Sequence, residues 1–321
     1  MCGTTSENKG QAVAAPQGMS RWPAALLLLL WLAGCASMPH RADRQAAADR
    51  LARDGGFEKV WIPAAPFTLT AYLKVTRPGA PLHLYIEGDG AAWIDRAWRS
   101  DDPTPKRPLV MELAALDPSR NVAYLARPGQ YPVAGSPPCD PSYWSDRRFA
   151  PEVVAAMDEA VGLLAARAGG SRIHLAGYSG GAAIAVLIAS RRSDVASLRT
   201  VAGNLDPEAI NRHHRVSPLH RDSLDPLAAA SGLCRLAQRH FVGSKDSVVP
   251  PFAVRSFVRQ AGFRDEGAIT TIEGATHAEG WRERWGALLT LPLASCEGPA
   301  VGGNPCLRGA DCVDSVKIIW D

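Results

Sequence analysis

Ile173-His174-Leu175-Ala176-Gly177-Tyr178-Ser179-Gly180-Gly181 is the stretch on which the fold turns. Its first four residues read as a short buried strand. The residues from Gly180 to Ser190 are small and apolar, as a buried helix would be. Between them Gly177-Tyr178-Ser179-Gly180-Gly181 matches the pattern G-x-S-x-G. The pattern alone is weak, because three fixed positions recur by chance in a glycine-rich chain. Its setting between a strand and a helix gives it physical content. A serine on a sharp strand-to-helix turn projects its hydroxyl above the sheet, in a backbone conformation that is strained for any side chain. Glycines on either side let strand and helix approach closely, and the helix N-terminus favours negative charge nearby.

Outward from this stretch, the chain alternates. Phe57–Ile62 and Phe67–Val75 carry aromatic and β-branched residues, with Pro63 and Pro66 between them, and read as two antiparallel strands. Leu82–Ile86 and Asn121–Ala126 are further strands, with a helix near Leu109–Leu116 between them. Ala150–Ala168 has apolar residues at Val153, Val154, Met157, Val161 and Leu164, which is helical spacing, and Pro151 suits a first turn. Leu198–Ala202, Arg239–Val242 and Ile269–Ile272 read as strands, and Trp281–Leu291 as a closing helix. The expected architecture is α/β: a mostly parallel central sheet, helices on both faces, and a short helical insertion after the sixth strand within Asn204–Leu236.

At this point the sequence resembles the α/β-hydrolase superfamily, and within it bacterial lipoprotein members, over residues 57–292. The resemblance implies a nucleophile, then an acid after the next-to-last strand, then a histidine after the last. Ser179 is the nucleophile candidate. Asp246, in Gly243-Ser244-Lys245-Asp246, is the acid candidate. Asp206 is its rival, although Asp206-Pro207 also reads as a helix start. His277, in Ala275-Thr276-His277, is the base candidate and the only histidine downstream of Asp246. The oxyanion hole is expected from the backbone N–H of Gly180 and that of Asp89, with Gly90 as the alternative. Many members have His-Gly where this chain has Glu87-Gly88. A carboxylate aimed into the hole would repel a developing oxyanion, so Glu87 and Asp89 must turn their side chains away. Trp93, Tyr131 and Tyr178 are candidates to line a substrate pocket, each equally readable as packing. The resemblance implies a serine hydrolase acting on a small-molecule ester or acyl compound, with no cofactor. A serine peptidase and a non-catalytic binding lipoprotein of the same fold are the alternatives.

The rest of the chain bounds this reading. The 321 residues are 46% hydrophobic and 21% charged, with net charge +3 and basic residues scattered among acidic ones. That is ordinary globular composition with no nucleic-acid footprint. His213, His214 and His220 cluster in the insertion without acidic or cysteine partners at ligand spacing, so no metal site is expected. Near the N-terminus Arg21 precedes an apolar run from Trp22 to Ala33, too short to span a bilayer comfortably. Leu32-Ala33-Gly34-Cys35 resembles a bacterial lipobox, which implies lipidation of Cys35; a plain secretory signal is the alternative. Ala36 following it implies sorting to the outer membrane of a Gram-negative envelope, facing the periplasm. Met19 would start a signal of normal layout. The expected organisation is a signal with lipobox at 1–35, a tether or first helix at 36–56, the catalytic domain at 57–295 and an irregular tail at 296–321. Beyond Cys2 and Cys35 there are five cysteines, an odd number, and spacing does not reveal their connectivity.

Overall fold

The computed structural model describes residues 40–296, apart from 96, 134–138, 171 and 264–265. The apolar run from Trp22, Cys35, Met19 and the tail from 297 lie outside the described residues, as do Cys2, Cys306 and Cys312. No helix among the described residues is long and apolar enough to cross a membrane.

The strands are β1 (Glu58–Ala64), β2 (Phe67–Val75), β3 (Leu82–Ile86), β4 (Asn121–Leu125), β5 (Ile173–Tyr178), β6 (Val195–Val201), β7 (Ala237–Gly243) and β8 (Ile269–Ile272). They form one eight-stranded sheet in the order β1-β2-β4-β3-β5-β6-β7-β8. β1, β2 and β4 pair antiparallel in turn. From β4 across to β8 every pairing is parallel. The helices are α1 (Arg41–Asp54), α2 (Leu109–Ala115), α3 (Pro151–Arg167), α4 (Gly180–Ala189), α5 (Pro207–His214), α6 (Phe252–Gln260) and α7 (Trp285–Thr290).

Alternation along the strands divides the core in two, because successive side chains point to opposite faces. Leu82, Leu84 and Ile86 of β3 pack with Val153 and Met157 of α3, Ile184 of α4 and Phe257 of α6. Tyr85, between them, faces the other way, toward Met111 of α2 and Trp285 of α7. The mostly parallel sheet covered on both faces is therefore observed, with β5 and α4 at its centre.

Of the two readings offered for the segment before the domain the first helix is present, and two boundaries differ from those expected. Residues 41–54 are not a free tether. They form α1, whose Ala48 and Ala52 are buried in the second core. These two small residues are one helical turn apart and share a face. Asp49 ties the same helix to Tyr72 and Lys59 of the sheet. At the other end, Cys296 belongs to the domain rather than to the tail. It forms a disulfide with Cys234, with Cα atoms 5.2 Å apart, and its N–H donates to the Cys234 carbonyl. Cys139 is a free thiol. The closing helix starts at Trp285, after a 3-10 turn at Arg282–Arg284. The insertion after β6 contains the α-helix α5 and a 3-10 turn at Ala230–Leu233; α5 is started by Asp206, whose carboxylate accepts the Ala209 N–H at 3.0 Å. α6 was not legible, since Pro250-Pro251 masks its start. Its buried face is Ala253, Val254, Phe257 and Val258.

Candidate active site

Parallel strands gather their C-terminal ends along one edge, and the loops that leave them share that edge. Ser179 follows β5, Asp246 follows β7 and His277 follows β8, so the sheet itself brings together residues far apart in sequence. Ser179 lies at the N-terminus of α4 with φ 51° and ψ −120°. That left-handed conformation is strained for a residue with a side chain. It is held by the Ser179 N–H donating to Val201 and by the Ala182 and Asn204 N–H groups donating to the Ser179 carbonyl.

The flanking glycines are steric requirements. A methyl group at Gly177 would lie 2.5 Å from the Gly181 carbonyl oxygen and 2.6 Å from Ala182 Cα. One at Gly181 would collide with the carbonyl oxygens of Ile86 and Glu87. One at Gly180 would collide with the carboxylate of Asp89. The helix thus starts against the end of β3, and the loop after β3 is folded over its first turn.

Ser179 Oγ is 3.0 Å from His277 Nε2. His277 Nδ1 is 2.9 Å from Asp246 Oδ2. The other oxygen of Asp246 accepts the N–H groups of Val248 and Val249 at 2.9 and 2.8 Å, so the carboxylate is fixed on both sides. Its side chain is wholly buried. Asp206, the rival acid, is occupied at the start of α5. Among the clustered histidines, His214 Nε2 meets the Val248 carbonyl and His213 packs on Phe252.

Tyr178 and Trp93 line a cavity of about 440 Å³ that also contains Ser179, His277, Asp89 and Gly90. The Tyr178 hydroxyl donates to the His277 carbonyl at 3.0 Å, and its ring lies against the imidazole. Tyr131 does not line this cavity. It is buried among Tyr72 and Tyr124 in the second core, where the turn after β4 directs it inward.

Both acidic side chains of the loop after β3 are engaged elsewhere. Glu87 accepts the Gly88 N–H at 2.9 Å and the Tyr124 hydroxyl at 2.9 Å. Asp89 lies 3.3 Å from both Arg127 and Arg148. These two arginines are the part that sequence reading missed. Arg127-Pro128-Gly129 stands out at the end of β4, but nothing in the sequence tells which acid its guanidinium meets. Burial pushes the Glu87 carboxyl up to about 7, against the hydrogen bonds from Gly88 and Tyr124 and the charge of Arg127.

That shift has a measurable consequence. Between 4.5, its ordinary value, and about 7 the folded chain keeps a proton that the unfolded chain releases. The stabilisation is therefore full at low pH and lost as pH rises through 7. Glu87→Gln keeps a neutral acceptor for Gly88 and leaves Tyr124 a partner. Urea unfolding should show the wild type losing about 3 kcal/mol relative to this variant between about pH 5 and pH 8. Parallel pH profiles for the two proteins would show that Glu87 does not hold its proton.

No family model matches the chain, and no curated protein matches its sequence. Solved structures do match. A bacterial membrane phospholipase A, described as a virulence factor, superposes with a TM-score of 0.52 at 17% identity, covering 84% of this chain and 98% of that one. An esterase from Pyrococcus furiosus gives 0.53 at 12% identity, covering 74% and 92%. An acylaminoacyl peptidase from Pyrococcus horikoshii gives 0.53 at 12% identity, covering 72% of this chain and 39% of that one. At such identities the likeness is one of architecture, and the architecture is that of the α/β-hydrolase fold.

Proposed function

We propose that the protein is a serine hydrolase that cleaves an ester-type bond through an acyl-enzyme. The observation that carries this reading is the unbroken chain from Ser179 to His277 to Asp246, at 3.0 and 2.9 Å, on a strained strand-to-helix turn. In this reading His277 Nε2 takes the Ser179 proton as Oγ attacks the carbonyl carbon. Asp246 holds Nδ1 and stabilises the imidazolium that forms. The N–H groups of Gly180 and Asp89 receive the oxyanion. His277 then returns the proton to the leaving alcohol and activates the water that releases the acid. No cofactor takes part.

The loop after β3 supports the oxyanion assignment. Glu87 is drawn to Tyr124, and the Asp89 carboxylate, which lies against Gly180, has its charge offset by the guanidinium groups of Arg127 and Arg148. Ala91, Ala92, Leu109 and Val248 give the cavity an apolar wall for an acyl group. The esterase and phospholipase names among the structural neighbours agree with acyl-ester chemistry. Labelling with a fluorophosphonate probe tests the reading directly. Wild-type protein should be labelled at Ser179, and folded, monodisperse protein that resists the probe would refute the proposal.

We further propose that Cys35 carries lipid and holds the chain in a bacterial envelope, at the outer membrane facing the periplasm. The support is the Leu32-Ala33-Gly34-Cys35 motif after its apolar run. Cys35→Ser should move the protein from the membrane fraction to the soluble fraction. Retention equal to that of the wild type would remove the anchor assignment.

A further inference from the structure

The large apolar side chains left in water are unevenly placed. Trp61, Leu116 and Leu163 are scattered singly, which is normal for any surface. Trp93, Val216 and Val248 line two cavities that share Trp93, and Ile94 and Trp98 lie on the same hairpin as Trp93. Trp93 and Val248 line the cavity that contains Ser179. Trp93 and Val216 line a neighbouring cavity of about 680 Å³. Ile94 and Trp98 belong to the small hairpin whose strands are Trp93 and Arg99, closed by the Ile94 N–H donating to the Trp98 carbonyl at 2.9 Å. At 68% and 60% exposure, Trp98 and Ile94 present most of their surface to solvent.

A second observation concerns where the chain enters the domain. Arg41 and Arg44, in the first turn of α1, lie 3.6 and 2.8 Å from Asp102, and Arg44 also donates to the Thr104 carbonyl. The segment they hold directly follows the hairpin. The start of α1, and with it the join to the chain before His40, is therefore held beside the segment that follows the hairpin. That chain contains the apolar run from Trp22 to Ala33, and only five residues separate Cys35 from Arg41. Five residues reach at most ~20 Å. Cations complete the rim of these cavities. Lys106 is exposed at the wall of the Ser179 cavity, and the Arg99 guanidinium, paired with Asp146 at 2.9 Å, sits 5.8 Å from the centre of the Trp93 ring. Indole rings beside cations suit the headgroup layer of a lipid surface, where the ring is half buried and the cation meets phosphate.

We propose that this rim docks on lipid, with Trp93, Ile94 and Trp98 entering the headgroup layer, and that the substrate is an ester-linked amphiphile taken from that surface. The substrate part rests on the hydrolase reading above; the docking part does not. Docking would place the opening of the Ser179 cavity against the layer in which such esters lie. A dissolved ester would reach Ser179 without the hairpin.

The test uses the full chain and the double variant Ile94→Ser, Trp98→Ser, neither of which lines the Ser179 cavity. Turnover of p-nitrophenyl butyrate in solution is compared with turnover of a fluorogenic acyl ester held in vesicles of phosphatidylethanolamine and phosphatidylglycerol. Quenching of tryptophan fluorescence by brominated lipid in the same vesicles reports insertion. The variant should hydrolyse the soluble ester within about twofold of wild type, lose about tenfold or more on the vesicle ester, and show weaker quenching. Equal quenching of the two proteins would overturn docking, and a protein partner would then be the occupant left for this rim. Equal or parallel changes on the two esters would overturn the choice of substrate. Wild type inactive on both esters would defeat the hydrolase reading alone, with quenching still deciding whether the rim meets lipid.

Discussion

Ser179→Ala should lower ester turnover by at least ~10⁴-fold while leaving the protein folded. The size of the effect follows from how the three residues act. His277 can accept a proton only from an oxygen held in line, and Asp246 matters only through His277, so removing the hydroxyl idles the other two. What remains is whatever rate the cavity and its N–H groups give to direct attack by water. The fold should persist because alanine occupies the same backbone conformation as serine and fills no new space. Both residues bear the strain of φ 51° alike. Steady-state turnover of a p-nitrophenyl ester panel, with urea unfolding as the control, reads both quantities. Equal turnover by the two proteins would take Ser179 out of the mechanism.

Gly181→Ala should have the opposite signature, a loss of stability first. Its methyl group would run into the carbonyl oxygens of Ile86 and Glu87 and come within 2.7 Å of the Glu87 carbonyl carbon. These are backbone atoms at the end of β3, which is paired on one side to β4 and on the other to β5. The strand cannot retreat without breaking one of the two ladders. A cost of about 3 kcal/mol or more is expected, at the upper end for overpacking. Activity should fall as well, because Glu87 begins the loop that bears Asp89. Gly286→Ala is the control. It lies in α7 with nothing within 4 Å of the added carbon, and alanine there should be neutral or stabilising by up to about 1 kcal/mol. Denaturant midpoints for the two variants decide the matter, and equal midpoints would mean that β3 yields.

These two residues show which parts of the molecule the sequence reveals. β2, β3 and β8 have the expected limits because their apolar and β-branched runs end abruptly at polar residues, glycine or proline. The order Ser179, Asp246, His277 is legible because each follows a strand, and parallel strands put their C-terminal ends on one edge. Side-chain pairings across that edge are not legible. The partners of Asp89 are 38 and 59 residues away, and only the fold brings Arg127 and Arg148 to it. Tyr131 was open for the same reason: a tyrosine after a strand end can turn toward the cavity or toward the core, and packing against Tyr72 and Tyr124 decides for the core. The hairpin at Trp93 was also hidden. In sequence its two tryptophans and isoleucine sit among charged residues with no strand-like alternation to mark a hairpin.

The Cys234–Cys296 bridge closes a ring of the chain with a separation of 62 residues, and both Asp246 and His277 lie inside it, whereas Ser179 lies outside. Closing a ring of that size removes roughly 4 kcal/mol of disorder from the unfolded chain on the entropic account. In the oxidised unfolded chain the acid and the base are therefore confined to one ring, and the pairing of β5 between β3 and β6 brings the nucleophile to them in the fold. A chain made where thiols stay reduced would have to assemble the same three residues without that head start. Its yield of competent protein should respond to oxidant more steeply than the distance of the bridge from Ser179 would suggest.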